Sequence, residues 1–237
     1  MDKKHNLFTF CRSFIITGRL LPILIICSAS LFGYHKIYKK RILNRDLLIT
    51  GCARSGTGFI SHLLQACKMQ IGHEKTQKDG VSSWVMCTDA KHVPWAVDSR
   101  HKIRFSHIFH QVRHPLNVIA SVQTEGEPSW KYILKHIPEI KKEDSRIVKC
   151  AKYWYYWNLK AEQQAEWTYQ VEQIDQVWNE FCSRLGRKLN RSQLEAVPRN
   201  VNTRTHTEIS WEDLKAQLDP ELYDNIQKLA ARYGYTI

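Results

Sequence analysis

A three-layer α/β fold with a central parallel sheet is predicted by two features of this sequence. Short apolar runs alternate with amphipathic segments of helical spacing, the order expected of strands joined by crossover helices. A glycine-rich turn, Gly51-Cys52-Ala53-Arg54-Ser55-Gly56-Thr57-Gly58-Phe59, links the first apolar run to the first such helix. At 237 residues the chain can bury a full core.

The elements follow in order. Leu47, Leu48, Ile49 and Thr50 form an apolar run suited to a buried parallel strand. From Thr57 onward, Phe59, Ile60, Leu63, Leu64 and Cys67 share one helical face, with His62 and Gln65 turned away. Residues 69–72 and 105–112 read as a second and a third strand, the latter ending at Arg113. Helices are expected over 129–137 and 144–166, the second capped by Asp144 or Ser145. Its aromatic run, Tyr153 to Trp157, cannot form one stacking platform, because successive helix residues point to different faces. Core packing is the reading adopted. A strand over 167–172 and a helix over 174–185 come next, then an irregular polar stretch over 186–207 and two short helices parted near Pro220.

The glycine-rich turn carries the first chemistry. A helix N-terminus presents unpaired N–H groups and the positive end of the helix dipole, and Gly51, Gly56 and Gly58 let backbone approach an anion. An ATP-binding loop of the pattern Gly-x-x-x-x-Gly-Lys-Ser/Thr adds a lysine for the phosphates and a hydroxyl for magnesium. Gly51 and Gly56 match that pattern, but Thr57 stands in the lysine position and Gly58 in the hydroxyl position. The cation lies inside the loop instead, at Arg54. A magnesium triphosphate loses its two main side-chain contacts.

The Arg54-Ser55-Gly56-Thr57 core after a strand resembles the phosphosulfate-binding loop of the sulfotransferases, which use 3′-phosphoadenylyl sulfate (PAPS) on a P-loop NTPase-like fold. The segment 107–121 continues the resemblance: Arg113 ends a strand, Pro115 follows by two residues and Ser121 by eight. The resemblance implies that Arg113 and Ser121 hold the 3′-phosphate that ATP lacks. An arginine offers a planar donor fork to a phosphate, and proline suits the first helical position. Weaker matches extend it over about 46–237: Gly72 to Thr76, Asp79 to Trp84, Tyr169 to Glu172, Asn202 to His206 and Trp211 to Leu214.

By the same resemblance, Arg54 neutralises the bridging oxygen and the leaving phosphate. Ser55, Gly56, Thr57 and Gly58 supply backbone and hydroxyl donors, and Arg204 reaches the nucleotide from the C-terminal loop. For the base, the family position of a glutamate in many glycan sulfotransferases falls on His73-Glu74, with Glu74 the first choice and His73 its rival. A histidine has an ordinary pKa of about 6.5 and suits a base near neutrality, whereas a glutamate near 4.3 needs burial to raise it. No metal is expected. His107, His110 and His114 cannot share one strand face and lack a carboxylate or cysteine partner at ligand spacing.

Charge and the chain start bound the partners. Nine cations (Lys3, Lys4, Arg12, Arg19, Lys36, Lys39, Lys40, Arg41 and Arg45) lie within residues 1–45 against Asp2 alone, so +8 of the net +12 is there. The remainder is only mildly basic, which argues against nucleic acid as a partner. Residues 14–34 form an apolar stretch near the roughly 20 residues a membrane span needs, interrupted by Arg19. A single-pass membrane anchor at 14–34 within a basic extension 1–45 is expected, followed by the catalytic domain over 46–237. A signal peptide with a site near Ser28-Ala29-Ser30, or an interfacial helix, are the alternatives. Positive-inside bias directs the domain to the cytoplasm, whereas Golgi relatives have it on the other side. Seven cysteines (11, 27, 52, 67, 87, 150, 182) show no metal or redox spacing.

The expectation is therefore a membrane-anchored PAPS-dependent sulfotransferase whose partners are the nucleotide donor and a hydroxyl acceptor on a glycan, glycolipid or small metabolite. A P-loop nucleotide or metabolite kinase and a catalytically inactive nucleotide-binding relative are the alternatives. The inactive relative predicts that neither His73 nor Glu74 lines the pocket. Acceptor contacts are expected from loops at 76–104 and 186–210.

Overall fold

The first strand is longer than its apolar core. In the computed structural model, which describes residues 42–88, 102–199 and 204–237, β1 spans Ile42–Thr50, with only Leu47 to Thr50 fully buried. The expected anchor at 14–34 lies outside the described residues, as do residues 89–101 of the loop at 76–104. Among the described residues no helix is long and apolar enough to cross a membrane.

Four more strands complete the sheet: β2 (Ile71–His73), β3 (Gly80–Ser82), β4 (Lys102–Val112) and β5 (Trp167–Gln170). All neighbours pair in parallel, in the order β2-β3-β1-β4-β5. The β1 to β4 pairing runs from Ile42 opposite Lys102 to Thr50 opposite His110 and is the spine of the fold. The sequence reading lacked β3, whose three residues are too few to show a period.

Crossover helices cover both faces. Leu47 and Ile49 of β1 and Phe109 of β4 pack with Phe59, Ile60, Leu63 and Leu64 of α1 (Thr57–Ala66) and with Trp178 and Phe181 of α5 (Ile174–Leu185). On the opposite face lie α2 (Pro115–Val122), α3 (Glu127–His136) and α4 (Arg146–Glu162), joined by α7 (Trp211–Gln217) and α8 (Pro220–Arg232). A single turn, α6 (Gln193–Ala196), interrupts the stretch expected to be irregular. Thus the central parallel sheet is a middle layer between two helical ones.

The aromatic run of α4 is core. Tyr153, Trp154 and Trp157 are fully buried, and their polar atoms are used: Trp157 Nε1 donates to the Trp84 carbonyl at 3.1 Å and Trp154 Nε1 to that of Arg113 at 3.3 Å. Ser145 caps this helix, its hydroxyl accepting from the Val148 N–H. Buried indoles on α4 thereby fix the end of β4, where Arg113 begins.

Sheet order decides where a ligand can bind. After β1 the chain passes to β2 and β3 on one side, and after β4 it passes to β5 on the other. The loops that follow β1 and β4 therefore diverge, leaving a crevice at the carboxyl ends of adjacent strands, the usual ligand position in open parallel sheets.

Candidate functional site

That crevice is a cleft of about 220 Å³, lined by Arg54, Gly56, Thr57, Gly58, Phe59, Arg113, Ser121, Val171, Glu172, Arg199, Arg204 and His206. Residues from the β1 loop, the end of β4, α2, the end of β5 and the C-terminal segment converge there, although they are up to about 150 positions apart in the chain.

The loop itself is rigidly anchored. Gly51 runs so close to β4 that a Cβ there would collide with the Gln111 carbonyl oxygen. The Ala53 N–H donates to the buried Tyr153 hydroxyl at 2.6 Å, and Gln111 Nε2 donates to the Ser55 carbonyl at 2.8 Å. Gln111 is held in turn by the Tyr169 hydroxyl, which donates to its Oε1 at 2.7 Å. Arg54 and Gly56 both adopt left-handed backbone conformations, with φ of 69° and 91°. For arginine this costs about 1 to 2 kcal/mol and persists only where surrounding contacts over-determine it.

Arg54 is no surface arginine: its side chain is 7% exposed. Its Nε donates to Ser121 Oγ at 3.0 Å, which leaves the serine's own proton for another acceptor. Arg113 Nη1 donates to the Arg54 carbonyl at 3.1 Å, so the two sequence-predicted arginines meet. Burial pulls the Arg54 pKa down from its ordinary value; Arg204 and Arg113 add to this, and Glu125 opposes it. Arg204 joins from the C-terminal segment, its Nη1 donating to the Thr124 carbonyl at 3.0 Å and lying 3.3 Å from Glu125 Oε1.

Ser55 departs from the predicted role. Its hydroxyl donates back to the Cys52 carbonyl at 2.7 Å and is buried, so the side chain braces the loop and does not line the cleft. Cys52 is a small buried filler of the loop, its thiol pushed by burial well above its ordinary pKa.

The two base candidates also stand apart from the cleft lining. His73 Nε2 lies 3.2 Å from Thr57 Oγ1, so it approaches the cleft from behind that threonine. Burial lowers its pKa, assisted by His62 and Arg54, which keeps the ring neutral near pH 7. Glu74 takes a left-handed backbone conformation, φ 55°, and turns its carboxylate inward. Ser83 Oγ donates to its Oε2 at 2.6 Å and the Trp84 N–H to its Oε1 at 3.1 Å, while the same Oε1 is 3.7 Å from His73 Nε2. Burial raises its pKa to about 7 despite those two donors.

Several lining residues escaped the sequence reading. Arg199 stacks its guanidinium over the Phe59 ring at 5.0 Å and is held by Asp175 at 2.5 Å. Glu172 accepts from the His114 N–H and from the Tyr235 hydroxyl, both at 2.9 Å. The histidines considered as metal ligands have separate partners: His107 pairs with Glu166, and His110 bonds Asn158 and Thr168.

What the cleft can do follows from its charge. Arg54, Arg113, Arg199 and Arg204 face Glu172 across a pocket at a helix N-terminus, an arrangement for a polyanion carrying more than one phosphate.

No family model matches the chain, and no curated protein matches it. Among solved structures it is similar to the sulfotransferase domain of the Synechococcus PCC 7002 olefin synthase, with 10% identity, a TM-score of 0.44, and 84% of this chain and 98% of that one covered. It is also similar to mouse sulfotransferase SULT7A1 complexed with PAP, with 12% identity, a TM-score of 0.43, and 82% and 85% coverage.

Proposed function

We propose that this chain is a PAPS-dependent sulfotransferase, transferring a sulfuryl group from PAPS to an acceptor hydroxyl on a glycan, glycolipid or small metabolite. The observation that carries the proposal is the meeting of Arg54, Arg113, Arg204 and Ser121 in one cleft, in a loop whose positions 57 and 58 lack the side chains a magnesium triphosphate needs.

In this reaction the acceptor oxygen forms a bond to sulfur while the bond from sulfur to the bridging phosphate oxygen breaks. Arg54 neutralises charge growing on that bridging oxygen, and the loop N–H groups from Gly56 to Gly58 hold the 5′-phosphate. Arg113 and Ser121 take the 3′-phosphate. The hydroxyl proton passes to His73, which is neutral near pH 7 and lies beside Thr57. Glu74, engaged by Ser83 and Trp84, supports His73 from 3.7 Å.

One observation favours a second reading. Because neither His73 nor Glu74 lines the cleft, a protein that binds the nucleotide without turnover fits the same arginine cluster.

Titration with 3′-phosphoadenosine 5′-phosphate (PAP), beside ATP with Mg²⁺, tests the donor. PAP binds more tightly, and Arg113→Ala weakens it by about 10- to 100-fold, the worth of a charged hydrogen-bonded contact. Tighter binding of ATP-Mg²⁺, or indifference of PAP to Arg113→Ala, removes the sulfotransferase assignment. Labelled-sulfate transfer over an acceptor panel separates the two readings: His73→Ala lowers turnover by about 10²- to 10⁴-fold if it is the base. PAP binding with no transfer to any acceptor selects the non-catalytic reading.

A further inference from the structure

Behind the arginines lies a carboxylate that does not itself line the cleft. Glu125, in the turn between α2 and α3, has a side chain 12% exposed, and its Oε1 is 3.3 Å from Arg204 Nη1 and 3.9 Å from Arg54 Nε. Its other oxygen is fixed by Ser129 Oγ, which donates to Oε2 at 3.0 Å. One anion therefore serves cations from two distant parts of the chain.

We infer that Glu125 is a resident counter-ion of this cleft: it offsets the charge of Arg54 and Arg204 when no ligand is bound, and by staying beside them it weakens their hold on an entering phosphate.

The distances separate this role from a positioning one. Arg54 is oriented by Ser121 Oγ at 3.0 Å and Arg204 by the Thr124 carbonyl at 3.0 Å, whereas the contacts to Glu125 are longer than the 2.7 to 2.9 Å of a tight charge-assisted bond. Glu125 thus contributes charge more than geometry. Without it, the repulsion of Arg54 by Arg113 and Arg204 loses the carboxylate that opposes it, which destabilises the ligand-free protein. A bound phosphate relieves that repulsion. Since Glu125 lies behind the guanidinium groups and is tied to Ser129, it is not expelled when an anion arrives, and its charge then opposes the anion's. The consequence is an affinity set below what the arginines alone would give, which speeds release of an anionic product.

The inference rests on the cleft being a nucleotide-phosphate site, and the test keeps the two apart. PAP and inorganic pyrophosphate are titrated into the full chain and into Glu125→Gln, at low and high salt. Glu125→Gln is expected to bind PAP about tenfold more tightly at low salt, or ~1.4 kcal/mol. The gain shrinks at 0.5 M salt, and the ligand-free melting midpoint falls. In an Arg204→Ala background the gain is smaller still. Equal or weaker PAP binding by Glu125→Gln overturns the inference and leaves the nucleotide reading standing. If the wild type ignores PAP but pyrophosphate binds more tightly to Glu125→Gln, the PAPS reading fails and the counter-ion survives. Should Glu125→Gln not fold, Ser129→Ala, which frees the carboxylate to rotate away, must tighten PAP binding by a smaller factor. No tightening there overturns the inference as well.

Discussion

Glu74→Gln should stabilise the protein above neutral pH and do nothing for it in acid. The wild-type carboxyl ordinarily titrates at 4.5, and burial carries it to about 7 in the folded chain. Between those values the folded state binds more protons than the unfolded one, so stability falls as pH rises through the window, and the whole penalty is present above pH 7. At about 1.4 kcal/mol for each unit, a shift of that size corresponds to ~3 kcal/mol. The side chain is only 16% exposed, so solvent screening reduces this figure little. Glutamine keeps an oxygen for the Trp84 N–H and can accept or donate toward Ser83, whose bonds to the carboxylate are 3.1 and 2.6 Å. Chemical denaturation of both proteins from pH 4.5 to 8.5 measures the difference between them, which removes every other group that titrates alike in the two. Stability of the variant relative to wild type must rise by about 2 to 3 kcal/mol across that range. A pH-independent difference, or one that favours the wild type more as pH rises, refutes the claim that Glu74 is held against its own ionisation.

Two further substitutions probe the loop's supports. Gly51→Ala forces a methyl group into the Gln111 carbonyl of β4, and because that oxygen belongs to the backbone of an interior strand and cannot swing aside it should cost about 3 kcal/mol or more, read as a lowered denaturation midpoint. Tyr153→Phe removes the acceptor of the Ala53 N–H at 2.6 Å while keeping the buried ring; a loss of about 1 to 3 kcal/mol in denaturation, with weaker PAP binding, is expected, and a change below about 0.5 kcal/mol would show that the bond does not brace the loop.

The parts of the fold that were legible are those written in local patterns. The run Leu47 to Thr50, the glycine turn and the apolar face of α1 lie within a short span, so strand, loop and helix could all be read from it. Arg113 was readable because Pro115 marks a helix start immediately after a strand. β3 was not, since three residues carry no period, and its place between β2 and β1 comes from pairing alone. The same limit applies to the site. Ser55 carries the expected hydroxyl, but the loop turns it toward Cys52, and nothing local encodes that direction. Arg199 and Glu125 join the cation cluster through contacts with Phe59, Arg54 and Arg204, partners 71 to 140 positions away in the numbering, and a single sequence shows no signal for such contacts.

Topology explains why two arginines from separate motifs meet in one cleft. β1 and β4 are adjacent, and their chains leave in opposite directions, so Arg54 and Arg113 must begin within one crevice whatever the intervening sequence does. The hydrogen bond from Arg113 to the Arg54 carbonyl then couples the two motifs directly. A loop with its cation at position 54 cannot reproduce the contacts of a lysine on the first turn of α1, because the side chain starts before the helix and runs toward Ser121 of α2. The positive charge is thereby moved from the axis of α1 to the boundary with the β4 side of the crevice. An anion held there meets Arg54, Arg113 and Ser121 together, which is the physical support for the proposed preference for a nucleotide with a second phosphate on its ribose over a linear triphosphate.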